Sequence, residues 1–177
     1  MKTKFLKKKQ KKHVYHDLNL LGHYLAGVWE GDGHIKKNKS SGKTSLHLTM
    51  HKQQEPYVKK LLNLLRRLNK NDTIGSVSIR QTNNSCVLNI FSPICLSFMV
   101  QLINSKLKTP KAYQLNDVID WLNKHTNKCF NRLELSSFQK PFILDLNNPW
   151  FAGFVDADGS FGIDLSIKTR LKIGCQF

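Results

Sequence analysis

The sequence predicts an α+β fold: helix, two strands, helix, two strands and two helices, in a domain of about 110 residues. Three observations lead there. Two segments carry apolar residues at helical spacing, near residues 18–28 and 58–68. Two pairs of short segments, each pair split by turn residues, read as hairpins. Two Ser-Pro or Thr-Pro pairs, Ser92-Pro93 and Thr109-Pro110, have the form of an N-cap followed by proline at the first helical position.

In chain order, residues 1–16 read as a solvated basic arm. Asp17 is a natural N-cap for a helix whose stripe is Leu18, Leu21, Leu25 and Val28, and Gly33 is suited to a left-handed C-terminal cap. A hairpin follows around Asn38–Gly42. In its second strand, 45–51, Leu46, Leu48 and Met50 face one way, and His47, Thr49 and His51 the other. Pro56 opens a second helix that buries Val58, Leu61, Leu62, Leu65 and Leu68 and leaves Lys59, Lys60, Arg66 and Arg67 outside. Residues 73–80 and 85–91 form a second hairpin about Asn83-Asn84. The two Pro-initiated helices run to about Leu107 and about Lys124. The domain thus spans 17–126, a looser segment 127–148 links it onward, and 149–177 begins something new.

The 177 residues carry a formal net charge of +16, and 40% are hydrophobic. That is enough apolar material for a core, so wholesale disorder is excluded. Seven lysines lie in the first twelve residues, but the remainder is still +9. A basic folded part favours a polyanionic partner, most simply nucleic acid. No apolar run is long enough to span a bilayer, so no membrane partner is expected. Cys86, Cys95, Cys129 and Cys175 show no paired spacing and read as free thiols, not as a metal site or disulfide framework.

The chain repeats itself. Residues 25–33 read Leu-Ala-Gly-Val-Trp-Glu-Gly-Asp-Gly, and residues 151–159 read Phe-Ala-Gly-Phe-Val-Asp-Ala-Asp-Gly. Gly27 and Gly31, like Gly153 and Ala157, are four apart and share a helix face, where small residues let two backbones approach. Asp32 and Asp158 fall in the last turn, where the helix dipole is already negative, so a carboxylate placed there twice wants a cation. Packed side by side, the two helices would bring both acids to one end. Paired carboxylates make a hard oxygen site suited to Mg²⁺, which activates water and polarises phosphate. One copy alone could be a buried glycine-rich helix with a solvated end; two copies in one short basic chain argue against that.

These two motifs resemble the LAGLIDADG homing endonucleases and related intron maturases. The stretch from Leu102 to Lys111, Leu-Ile-Asn-Ser-Lys-Leu-Lys-Thr-Pro-Lys, is similar to a Leu-Ile-Asn-Gly-Lys-Leu-Arg-Thr-Pro-Lys segment of organellar intron-encoded members. The resemblance implies an αββαββα domain whose four-stranded sheet saddles the DNA major groove, followed by the motif helix and one β-hairpin of a second, incomplete repeat. It implies that Asp32 and Asp158 are metal-binding catalytic acids. Glu30 and Asp156 would serve the motif-helix interface, and Lys108 would be a basic active-site residue near the scissile phosphate. His51, Lys52 and Gln53 fall near a polar residue that organises active-site water. The implied reaction is hydrolysis of one phosphodiester on each strand of double-stranded DNA by metal-activated water. Lys36, Lys37, His47, Thr49, His51, Lys52, Ser76, Ser78 and Arg80 are candidates for DNA contacts, although alternation alone gives half of any strand to solvent. A maturase reading would add intron RNA as partner, and an inactive DNA-binding remnant is a third reading.

Only eighteen residues follow the second motif. A double-motif member needs two full domains, so the expectation is a fragment, a truncated reading frame or one piece of a split enzyme. In the last case a second polypeptide is expected to complete the fold, and site-specific double-strand cutting by this chain alone is expected to be weak or absent. The N-terminus resembles neither a secretory signal nor a transit peptide. That fits an organelle-encoded protein, with the mitochondrion ahead of the chloroplast.

Overall fold

The computed structural model describes residues 17–38, 40–70, 73–125, 133–135, 145–166 and 170–176, with backbone alone from Ser160 onward. The basic arm and most of the 127–148 linker lie outside the described residues.

Helix α1 (Leu18–Asp32) starts where the sequence places it: the Asp17 carboxylate accepts from the backbone N–H groups of Asn19 and Leu20, at 2.9 and 3.2 Å. Leu21, Leu25, Val28 and Trp29 are buried along it, whereas Leu18, expected on the same stripe, is half exposed in the first turn. Gly33 ends the helix, but not as a left-handed cap. Its backbone is extended (φ −79°, ψ 146°) and it is the first residue of β1 (Gly33–Lys37). Glycine is required there because a Cβ would collide with the Trp29 ring.

Strand β2 (Thr44–His51) returns antiparallel to β1, pairing Gly33 with Leu48 and Lys37 with Thr44. A 3₁₀ turn (Lys52–Gln54) leads to α2 (Glu55–Asn69), with Pro56 in its first turn and Val58, Leu61, Leu62, Leu64 and Leu65 buried. Arg66 departs from the expected outer face, because its guanidinium donates to the Gly75 carbonyl at 3.1 Å and is held half-buried. Strands β3 (Ser76–Arg80) and β4 (Ser85–Ile90) form the second hairpin, with Asn84 at φ 49° in the turn. The inner strands β2 and β4 join the hairpins into one antiparallel sheet of order β1-β2-β4-β3. One face of it, including Leu46, Leu48, Met50, Cys86, Leu88 and Ile90, packs against the helices in a single core.

Helix α3 (Pro93–Ile103) stops four residues before the expected end. Asn104 leaves the helix in an extended conformation, Ser105 turns through φ 63°, and Leu107 then enters the core at 3% exposure. Continuing the helix would have carried Leu107 away from that pocket. Helix α4 (Lys111–His125) follows a Thr109-Pro110 turn, and Thr109 Oγ1 accepts from the Lys111 N–H. Beyond it, Asn123 is hydrogen-bonded twice to the Leu133 backbone, at 3.0 Å each.

The second repeat forms helix α5 (Trp150–Asp158), with Asn148 accepting from the Trp150 N–H at 3.0 Å. A separate antiparallel hairpin, β5 (Ser160–Ser166) and β6 (Arg170–Gln176), follows.

Candidate functional site

The two motif helices, α1 and α5, lie against each other through their glycines. A Cβ on Gly27 would overlap the Trp150 carbonyl oxygen and sit 2.7 Å from the Phe154 nitrogen; one on Gly153 would overlap the Tyr24 carbonyl oxygen. Gly31 instead faces a side chain, since a Cβ there would sit 2.5 Å from the Ala157 Cβ. Only the absence of side chains at Gly27 and Gly153 permits backbone-to-backbone contact, as the spacing predicts.

This packing delivers Asp32 and Asp158 to one end. The Asp32 carboxyl is pushed up to about 6, chiefly by burial and then by the Asp158 carboxylate, with the Lys111 ammonium opposing. Lys111 Nζ donates to the carbonyl of Gly31 (2.8 Å), one of the last-turn carbonyls of α1 that lack helical partners, and to that of Gly33 (3.2 Å) at the start of β1. Burial lowers the pKa of Lys111, and Asp158, Asp32 and Glu30 counter this. Lys111 is therefore a cation coupled to the acid pair. Lys108, the sequence candidate, sits differently: its ammonium charge acts on His23 and Asp145, and its backbone N–H, like that of Thr109, points at Glu30. The helix break at Asn104 puts Lys108 in the approach to α4 and makes Lys111 the first residue of that helix.

Glu30 is buried, at 4% exposure. Its carboxylate accepts from the N–H groups of Lys108 (2.9 Å) and Thr109 (2.5 Å) and from the Trp150 indole (2.6 Å). One side chain thus ties α1 to the segment that positions Lys111 and to the start of the second motif helix. Asp156 occupies the corresponding position of α5. It accepts from the Tyr24 hydroxyl at 2.7 Å, and that hydroxyl also meets Tyr57 at 2.8 Å. Both acids hold the helix interface.

The candidates on the sheet separate by face. Ile35 and Val77 pack toward the core, which turns Lys36, Ser76, Ser78 and Arg80 to the opposite face with His47 and Thr49. Lys37 has the reverse orientation and pairs with Asp117 of α4 at 3.6 Å; adjacent strand residues cannot share a face, so it leaves the set. His51 ends β2, three residues past Leu48, the partner of Gly33, or about 10 Å along the strand, and Lys52 opens the 3₁₀ turn after it. There His51 meets Asn84 (2.9 Å), Lys52 donates to Gln81 (3.2 Å), and the Gln53 N–H donates to His51.

The sequence reading passed over His34, Ser45 and Asn89 on the same open face. His34 stacks on His47, Ser45 meets His47 at 2.8 Å, and Asn89 donates to Ser78 at 3.0 Å. Period-two alternation carried through all four strands would have found them. Both imidazoles are held below their ordinary pKa, first by burial and then by surrounding positive groups, including Lys36 and Arg80.

Residues 19–105 match the family model described as a LAGLIDADG-like domain. The uncharacterized cox1 intron-2 37.2 kDa protein of Schizosaccharomyces pombe is 31% identical over 165 residues, covering 85% of this chain and 44% of that protein. In Saccharomyces cerevisiae, the intron-encoded DNA endonuclease aI3 is 32% identical over 82% of this chain and 36% of its own length. The intron-encoded RNA maturase bI4 of the same yeast is 26% identical over 90% of this chain and 22% of its own length. The chain spans less than half the length of these curated relatives. Among solved structures, the LAGLIDADG meganuclease I-AabMI bound to uncleaved DNA shares the fold, with a TM-score of 0.57 at 19% identity, over 87% of this chain and 64% of that one.

Proposed function

We propose, from the premise that this chain belongs to the LAGLIDADG family, that it is a metal-dependent endonuclease acting on double-stranded DNA. The observation that carries the reading is the convergence of Asp32 and Asp158 at the ends of two helices in backbone contact, with Lys111 against them.

The donor set fits a hard divalent cation. It consists of carboxylate oxygens, and the Asp32 carboxyl is held up first by burial and then by the neighbouring Asp158 charge, which a bound cation would offset. Mg²⁺ suits two carboxylates because it keeps several waters and accepts phosphate oxygens as further ligands. When bound, the ion supplies Lewis-acid polarisation of the phosphate and an activated water. Asp32 and Asp158 would hold it. Lys111, fixed by two carbonyls, places a positive charge where a phosphate gains negative charge, the role expected of Lys108. The sheet face turned from the helices, where His34, Lys36, Ser76, Ser78 and Arg80 are exposed, Thr49 is partly so and His47 is buried, lies along the groove of the DNA.

The domain of residues 17–126 supplies one four-stranded sheet and so one half-site, while 149–177 completes the acid pair. In this reading, site-specific cutting of both strands also needs a sheet over the other half-site. The cox1 intron named for one relative supports a mitochondrial origin. The test is incubation of purified protein with Mg²⁺ and the intron-free junction of its host gene. Asp32→Asn and Asp158→Asn are each expected to abolish cutting, and retained Mg²⁺-dependent cutting in either variant refutes the assignment.

A second reading, RNA binding in aid of splicing, is favoured by the relative named as an RNA maturase. It makes no demand on the acid pair, so splicing of the host intron that survives both Asn variants would support it.

A further inference from the structure

On the helix-covered side of the molecule, away from the open sheet face, α1 and α2 leave a trench of about 640 Å³ between them. Its floor is Leu21 and Leu64, its inner wall is Tyr24 and Tyr57, and its rim carries Lys60 and Arg67. The rim is part of a longer basic stretch, with Lys59, Lys60 and Arg67 exposed on α2 and Lys70 exposed just past its end. Glu55 is engaged with Lys59, and no carboxylate among the described residues forms an ion pair with Lys60 or Arg67. Asp156, bonded to the Tyr24 hydroxyl, is the carboxylate at the tyrosine end of the trench.

An apolar trench edged by cations has few suitable occupants. The lysine-rich arm before Asp17 is excluded by like charge. An apolar peptide would fill the floor but leave the cationic row unused. Duplex DNA presents phosphates but no accessible base faces to a cleft between two helices. A single strand meets both requirements, since its unstacked bases sit against aromatic and apolar side chains while its phosphates follow the basic row. Lys60 and Arg67 are seven residues apart on one helix, about 10 Å along the axis, so they would meet different phosphates of one strand.

We infer that the α1–α2 trench is a docking surface for single-stranded RNA, separate from the sheet face. This deepens the RNA-binding reading by naming its surface, and it is independent of whether the acid pair cuts DNA.

The test uses the purified chain and a fluorescein-labelled oligouridylate of about twenty nucleotides, with a random duplex DNA as comparison. The charge-reversed double variant Lys60→Glu/Arg67→Glu is expected to lose at least about ten-fold in oligouridylate affinity at physiological salt while binding duplex within about two-fold of the parent. Lys36→Glu on the sheet should show the opposite pattern. If the reversed pair perturbs folding by circular dichroism, Lys60→Gln/Arg67→Gln replaces it, with a smaller loss in the same direction. Photocrosslinking with iodouridine should map to Tyr24 or Tyr57. Oligouridylate affinity unchanged in both double variants, crosslinks confined to the sheet, or full displacement of the oligouridylate by duplex would overturn the inference. Loss of DNA cutting in the Asp32 or Asp158 variants with oligouridylate binding intact leaves it standing.

Discussion

Asp32 shows how a residue recognisable from its motif acquires its chemistry from its surroundings. Burial and the Asp158 carboxylate raise its pKa to about 6, from an ordinary value of 3.8. Between those values the folded protein holds a proton that the unfolded chain has released, so without metal its contribution to stability falls as pH rises through that window. Asp32→Asn is therefore expected to raise Tm at neutral pH in metal-free buffer, with the gain shrinking as pH drops toward 4; thermal melts across that range check it, and a pH-independent difference would contradict it. Mg²⁺ should remove the gain, because the parent carboxylate then has its counter-charge. Lys111→Met should lower cutting by about a hundred-fold, a size typical for loss of one preorganised electrostatic group, and raise the Asp32 pKa further. Lys108→Met should leave that pKa nearly unchanged, which NMR titration of the carboxyl would read. The acids were legible because the motif occurs twice. Lys111 was not, because choosing it over Lys108 requires knowing that α3 ends at Ile103.

At the level of elements, the contact between α1 and α5 is the feature on which the site depends. Gly153→Val would force a branched side chain onto the Tyr24 carbonyl and should cost about 1–3 kcal/mol or more in stability, read by urea unfolding. It should also separate the acids and weaken Mg²⁺ binding. Glu30 makes a second connection between the same elements. Glu30→Gln exchanges one acceptor oxygen for a donor facing three N–H groups and should cost about 2 kcal/mol. In a double-mutant cycle, Glu30→Gln and Trp150→Phe should couple by about 1 kcal/mol or more; additive effects would show that the indole contributes nothing to the junction. The helices and hairpins themselves were readable from caps, prolines and alternation. The extended backbone at Gly33 was not, because glycine answers both to a left-handed turn and to steric crowding, here by Trp29.

Across the whole molecule, the net charge of +16 divides between an arm and faces with different orientations. Lys36 lies on the open sheet face and Lys37 is paired with Asp117 on the other, although they adjoin in sequence. If duplex DNA lies on the sheet, Lys36→Glu should flatten the dependence of log K on log salt by about one unit, whereas Lys37→Glu should leave the slope unchanged. Equal slopes for the two variants would place the duplex elsewhere. The amino-acid sequence by itself determined the element order, the basic character, the duplicated motif and the pairing of Asp32 with Asp158, because periodicity, caps and small-residue spacing are local properties that a chain displays directly. Tertiary structure decided which lysine stands beside the acids, which strand residues look outward, that Glu30 joins three elements, and that a basic trench opens between α1 and α2. Each of these depends on where separate segments come to rest against one another, and local spacing does not encode that position.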